Sequence, residues 1–289
     1  MRIIKTDRRN TSFQNPIIFA EYGDKEGLPV MAFHGTPGSR LERMFTDSSL
    51  REANIRLIVV ERPGYGRSQF NTTHTLLDWP EEVVRLADSL ELERFSVLGF
   101  SGGGPYAAAC VYRFAQRLLH TALISSPAPY TVPGMTDGML PANLALFEQA
   151  RDDYLALAQV LDSLIETPES LYALFEDPAS APDKQALADR QFREMYLAHL
   201  TTSVIQGMHG MAFDMALLAN HWGFEPEQIK GSVSVWHGEQ DVFVPVEMGR
   251  YLAKTIPDCQ QYIVPDQGHF LVSTYQTQIL RLLSGKQEA

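Results

Sequence analysis

Apolar and β-branched residues recur through the first half of the chain in short runs, at 17–20, 30–33, 55–60, 95–100 and 122–124. Runs of this length, bounded by turn-forming residues, predict buried β-strands. Between the later runs the period changes. Residues 79–92 place Val83, Val84, Leu86, Ala87 and Leu90 on one stripe, which predicts an amphipathic helix, and 107–118 predicts another. Alternating strand and helix predict an α/β fold with a mostly parallel central sheet and helices on both faces.

The alternation lapses from 127 to 224, where segments rich in Leu, Ala and Met read as consecutive helices without a strand. It resumes with a strand at 233–236, a helix at 246–255, a strand at 261–264 and a closing helix at 270–283. The pattern predicts one α/β core domain, 1–126 and 229–289, interrupted by an inserted all-helical cap over 127–228. No internal repeat is visible.

Composition acts mainly by exclusion. A chain of 289 residues that is 45% hydrophobic can bury a substantial core. Its formal net charge of −11, without clustered Lys and Arg, argues against a nucleic-acid partner. No run approaches the roughly twenty apolar residues of a membrane span. Residues 1–9 carry no apolar stretch of signal-peptide length, so a cytoplasmic location is expected. Cys110 and Cys259 stand in no redox or metal-ligand spacing, so free thiols and no metal are expected.

Candidate chemistry collects at the carboxyl ends of the predicted strands, where sheets of this kind bind ligands. The run at 95–100 leads directly into Gly99-Phe100-Ser101-Gly102-Gly103. A serine on a sharp strand-to-helix turn is exposed and free of competing backbone bonds, which suits a nucleophile. The crowded turn needs small residues two before and two after it, here Gly99 and Gly103. The overlapping stretch Gly102-Gly103-Gly104-Pro105-Tyr106-Ala107 also fits a dinucleotide-binding turn. That reading lacks the acidic residue that would hold a ribose, since none occurs at 121–126, and it puts a proline inside the turn. Other strand ends carry His34-Gly35-Thr36-Pro37-Gly38, the stretch 61–68, Gly238-Glu239-Gln240-Asp241 and Asp266-Gln267-Gly268-His269. One rim thus gathers a serine, an acid and a histidine.

Through His34-Gly35-x-Pro37-Gly38, Pro63-Gly64-x-Gly66-x-Ser68, Gly99-x-Ser101-x-Gly103, Gly238-x-x-Asp241 and Gly268-His269, the chain resembles the α/β-hydrolase family. The resemblance spans nearly everything outside the insertion, which sits where the family carries its helical cap. It implies a triad in the order Ser101, Asp241, His269. His269 would take and return the Ser101 proton, and Asp241 would hold the imidazole tautomer. The backbone N–H groups of Thr36 and Gly102 would form the oxyanion hole. His34, Gly35 and Pro37 would support that loop, as Gly99 and Gly103 support the turn. Glu239, Asp266 and Asp214 are the competing carboxylates. Asp241 is preferred on position, because no acid follows the strand that ends at Ser125-Ser126. Arg62 is expected to brace loops.

Serine at the nucleophile position, where relatives that cleave carbon–halogen bonds or epoxides carry aspartate, implies acyl chemistry on a small-molecule carboxylic ester with no cofactor. Amide or lactone hydrolysis and carbon–carbon bond hydrolysis are the alternatives with the same triad, and a receptor or scaffold is a reading of another class. Met135, Met139, Leu140, Phe147, Tyr154, Met208, Met211, Phe213 and Met215 imply an apolar cap over a neutral acyl group. Neutral acyl groups are expected to be preferred over anionic ones; fastest hydrolysis of a dicarboxylate monoester would instead point to a cationic subsite, with Arg62 or Arg40 the first residues to examine. The cap is expected to govern selectivity more than the reactivity of Ser101.

Overall fold

A computed structural model describes residues 2–4 and 16–285. Among these residues eight strands form one sheet: β1 (Arg2–Ile4), β2 (Ile17–Gly23), β3 (Leu28–Phe33), β4 (Ile55–Val60), β5 (Phe95–Phe100), β6 (Leu118–Ile124), β7 (Val233–Gly238) and β8 (Gln260–Val264). Their order is β1-β2-β4-β3-β5-β6-β7-β8. β1 and β2 pair antiparallel, β2 runs antiparallel to β4, and every later pairing is parallel. Every residue of the central strand β5 is buried, which explains its unbroken apolar run in place of alternation.

Helices cover both faces. α1 (Asp47–Glu52) and α10 (Val272–Leu283) contribute to one hydrophobic layer; α2 (Trp79–Ser89), α3 (Gly104–Phe114) and α9 (Val246–Thr255) contribute to the other. On α2, Trp79 sets its ring edge-on against Phe33 at 5.3 Å and Tyr106 at 5.8 Å. Val83, Leu86 and Ala87 complete the buried stripe. Each large apolar side chain so buried contributes roughly 1.5–3 kcal/mol.

Between β6 and β7 lie α4 (Pro141–Leu164), α5 (Pro168–Glu176), α6 (Ala181–Ala188), α7 (Arg190–Ser203) and α8 (His209–Ala219), with no strand among the described residues. α8 is apolar nearly all round and buried on most of its surface, as a helix wedged between layers must be. No helix among the described residues is long and apolar enough to cross a membrane.

Local differences from the sequence expectations have local causes. β1 and α1 were not predicted; three and six residues are too short to establish a period. The helix expected at 107–118 starts at Gly104 and ends at Phe114, because Ser101–Gly103 forms a 3₁₀ turn that feeds it and Ala115–Arg117 forms another that closes it. The final helix begins at Val272, two residues after its expected start. Residues 1 and 5–9, part of the stretch considered for a signal peptide, lie outside the described residues.

Candidate active site

β5 delivers Ser101 to the carboxyl edge of the sheet and α3 leaves from the same point, so the chain reverses within one 3₁₀ turn. Ser101 takes up the strain, with φ of 50° in the left-handed region. A non-glycine residue held there costs on the order of 1–3 kcal/mol and persists only where the surroundings impose it. The small neighbours are a matter of contact: a Cβ on Gly99 would lie 2.3 Å from the Gly103 carbonyl oxygen, and one on Gly103 would lie 2.1 Å from that of Phe33. Ser101 is half-buried.

The loops after β7 and β8 bring Asp241 and His269 together. His269 Nδ1–H donates to Asp241 Oδ2 at 2.7 Å. The other carboxylate oxygen accepts the backbone N–H groups of Phe243 and Val244, each at 2.9 Å. A carboxylate only accepts, so the ring proton sits on Nδ1 and leaves the Nε2 lone pair available. Burial disfavours the charged form of Asp241, but His269 and then His237 outweigh it, holding the carboxyl well below its ordinary range. Burial likewise disfavours an imidazolium at His269, and Asp241, Asp183 and Glu42 outweigh it, so its pKa lies above 6.5. The rings of Phe100, Phe243 and Phe270 surround His269 at 5.0, 5.3 and 5.4 Å. Phe100 immediately precedes Ser101, whose carbonyl accepts the Gly104 N–H, but the Ser101 hydroxyl makes no hydrogen bond to a described residue, His269 included.

Beside Ser101 lies the loop after β3. A Cβ on Gly35 would touch Ser101 Cβ at 3.4 Å, and one on Gly102 would lie 2.1 Å from Thr36 Oγ1, so Thr36 and Gly102 are immediate neighbours. Thr36 precedes Pro37 across a cis peptide bond. His34 fixes the base of the loop: its Nδ1–H donates to the Gly35 carbonyl at 2.9 Å and its Nε2 accepts the Arg62 N–H at 3.0 Å. Burial, with the Arg62 charge adding to it, pushes the His34 imidazole well below its ordinary pKa. With both nitrogens engaged and the ring neutral, His34 has no capacity left for proton transfer. Glu42 accepts the Gly35 N–H at 2.6 Å, and burial pushes its carboxyl up to about 8.

Two further carboxylates reach the same loops from the helices between β6 and β7. Asp183, at the start of α6, accepts the backbone N–H of His269 at 2.9 Å and of Phe270 at 2.8 Å. The Ser125 hydroxyl, after β6, donates to the His269 carbonyl at 2.7 Å. Asp214, on α8, forms an ion pair with Arg62 at 2.6 Å, and Arg62 Nη2 donates to the carbonyls of His34 and Gly35 at 3.1 and 2.8 Å. Arg40 is paired with Glu61. Both arginines named as a cationic subsite are therefore already neutralised. Sequence reasoning missed Glu42, Asp183 and Ser125 as site residues. Asp214 carried a readable signal, a lone carboxylate within an otherwise apolar helix.

The alpha/beta hydrolase fold profile matches residues 29–274. The chain belongs to that family. The 2-hydroxymuconate semialdehyde hydrolase of Pseudomonas putida is 22% identical over 268 residues, covering 89% of this chain and 86% of that protein. A non-heme chloroperoxidase of Streptomyces lividans is 32% identical over 145 residues, 49% of this chain and 51% of the relative. The chain spans about half the length of some of the curated relatives it matches. Among solved structures, a thermophilic esterase from Thermogutta terrifontis superimposes with a TM-score of 0.72 at 21% identity, covering 98% of this chain and 97% of that one.

Proposed function

We propose that the chain is a serine hydrolase of small or medium, uncharged carboxylic esters, acting through an acyl-Ser101 intermediate. The buried 2.7 Å hydrogen bond from His269 Nδ1 to Asp241 carries this reading, because it leaves Nε2 as an oriented base at the sheet edge that bears Ser101. Ser101 Oγ attacks the ester carbonyl carbon while His269 Nε2 takes its proton. The carbonyl oxygen becomes an oxyanion between the N–H groups of Thr36 and Gly102, where preorganised donors act most strongly. The intermediate collapses, and the proton on His269 leaves with the alcohol. Water then attacks the acyl carbon, gives its proton to His269, and releases the carboxylic acid as that proton returns to Ser101. The contact from Ser101 Oγ to His269 Nε2 that this step requires is of the kind that often closes only when substrate binds.

On this reading residues 127–228 form the cap. Met208, Met211 and Met215 are buried with Phe147 and Met139 in the layer that packs against the sheet, which suits an apolar acyl group. The ion pairs of Arg40 and Arg62 favour a neutral substrate over an anionic one. Likeness to the 2-hydroxymuconate semialdehyde hydrolase supports a second reading, carbon–carbon bond hydrolysis by the same three residues.

Ser101→Ala is expected to lower turnover of 4-nitrophenyl butyrate by roughly 10⁴ or more with the fold intact. A fluorophosphonate probe is expected to add its mass to the Ser101 peptide. Labelling elsewhere, or near-normal turnover by the variant, defeats the assignment; faster turnover of 2-hydroxymuconate semialdehyde than of any ester selects the second reading.

A further inference from the structure

We infer that Asp214 is a positioning residue for the oxyanion hole, acting through the Thr36 hydroxyl to fix the Thr36 N–H, and that α8 thereby makes the proposed chemistry depend on the insertion. The inference rests on the acyl-transfer reading above.

Asp214 receives four donors. Arg62 Nη1 and the Tyr106 hydroxyl bind Oδ1, each at 2.6 Å, while the Tyr65 hydroxyl at 2.8 Å and Thr36 Oγ1 at 2.5 Å bind Oδ2. A carboxylate has about four acceptor sites, so this one is saturated. Thr36 Oγ1 in turn accepts from Arg62 Nη2 at 3.1 Å, which fills both of its roles and fixes the side chain. The guanidinium lies over the Tyr106 and Tyr65 rings at 4.4 and 5.1 Å. Every polar bond made by the Thr36 side chain therefore ends on Asp214 or on its counter-charge.

The reach of α8 extends to the second proposed donor. One turn beyond Asp214, Leu218 stands so close that a Cβ on Gly102 would lie 3.2 Å from its Cδ1. Where α8 begins, a Cβ on Gly210 would lie 2.2 Å from the Gly64 carbonyl oxygen, so the helix is seated directly on the loop that bears Arg62. A single rigid element thus abuts both Thr36 and Gly102. The Thr36 N–H itself has no acceptor among the described residues. Its direction is set by the side chain and by the loop on either side.

The test is a double-mutant cycle on the full chain with 4-nitrophenyl butyrate, each preparation titrated with a fluorophosphonate so that rates refer to competent sites. Removing an oxyanion donor outright costs about 10²–10³ in kcat, so displacing one is expected to cost about 10–100-fold. Thr36→Val and Asp214→Asn are each expected to lower kcat by that amount with KM changed by less than about threefold. The double variant is expected to fall no further than the worse single one, because both remove the same link. Thr36→Ser, which keeps the hydroxyl, is expected to recover most of the rate. Wild-type kcat in both single variants, or losses that multiply, overturns the inference. If Asp214→Asn does not fold, because Arg62 is left buried without its partner, Thr36→Val decides alone, since it leaves the ion pair in place. The amide resonance of Thr36 gives a readout independent of the nucleophile. Asp214→Asn, which leaves residue 36 unchanged, is expected to shift or broaden it, and an unmoved signal overturns the positioning role even if Ser101→Ala shows that Ser101 is not the nucleophile.

Discussion

Asp183 and Asp214 come from the same inserted segment and are equally buried, at 1% and 2% exposure, yet they hold their loops by different physics. Asp183 binds backbone directly: both oxygens accept main-chain N–H groups, so the path of the chain at His269 and Phe270 is written by α6. Asp214 binds side chains, and its charge is balanced by a guanidinium stacked on two tyrosines. A carboxylate clamped on backbone sets where a loop runs; one neutralised within a network sets how a particular side chain turns. Loss of the first should appear in stability, loss of the second in turnover. If that inference holds, the inserted segment belongs to the framework of the candidate site, which deletion of the segment tests against the expectation that it governs selectivity more than the reactivity of Ser101.

The harshest way to break this comparison is to remove both carboxylates at once. Replacing residues 127–228 by a short linker is expected to abolish fluorophosphonate labelling of Ser101 together with turnover, as read by intact mass. Labelling near the full-length rate would show that the loops hold their shape unaided.

Asp183→Ala sharpens it. Two buried donors lose their acceptor at about 1–3 kcal/mol each, so a loss of roughly 2–6 kcal/mol is expected in urea unfolding with an unchanged m-value. A midpoint indistinguishable from wild type would mean that water replaces the carboxylate without cost.

Glu42, the core's own carboxylate on the loop after β3, offers a pH-dependent contrast. Its folded pKa of about 8 lies above the ordinary value of 4.5, because burial favours the neutral acid. The folded state therefore holds a proton that the unfolded chain releases; the stabilisation is complete below about 4.5 and is lost as pH rises through about 8. Glu42→Gln has no such proton to lose. Its stability relative to wild type is expected to improve with pH across that window, by on the order of 5 kcal/mol at pH 9. A pH-independent difference would refute the assignment of this carboxyl.

The mildest test needs no mutation. Since the His269 pKa is raised and the proposed mechanism needs it neutral, kcat/KM is expected to fall as pH drops through an ionisation above 6.5. An inflection below about 6 would mean that the acids around His269 do not act on it as the geometry implies.

The fold was legible because it rests on periodicity. Seven of the eight strands announce themselves as apolar runs, and the change to helical spacing marks the crossovers that make most of the sheet parallel. Parts of the candidate site were legible for a related reason. The Gly99-Phe100-Ser101-Gly102-Gly103 turn is a local steric solution, and glycines are needed where a Cβ would strike the neighbouring backbone.

What the supporting acids hold was not legible, even for Asp214, because their partners are remote in the chain. Asp183 lies 86 residues from His269, and Asp214 lies 178 from Thr36. Before folding, Asp183 reads as an ordinary acid in the first turn of a helix, and Glu42 as one more surface charge in an acidic chain. The sequence by itself determined the elements, their order and the tight turn at Ser101, since spacing and steric demands act over a few residues. Only the tertiary structure decided which carboxylates are buried, which N–H groups they bind and which arginines are already paired, because desolvation and hydrogen bonding depend on what lies across the interface and not along the chain.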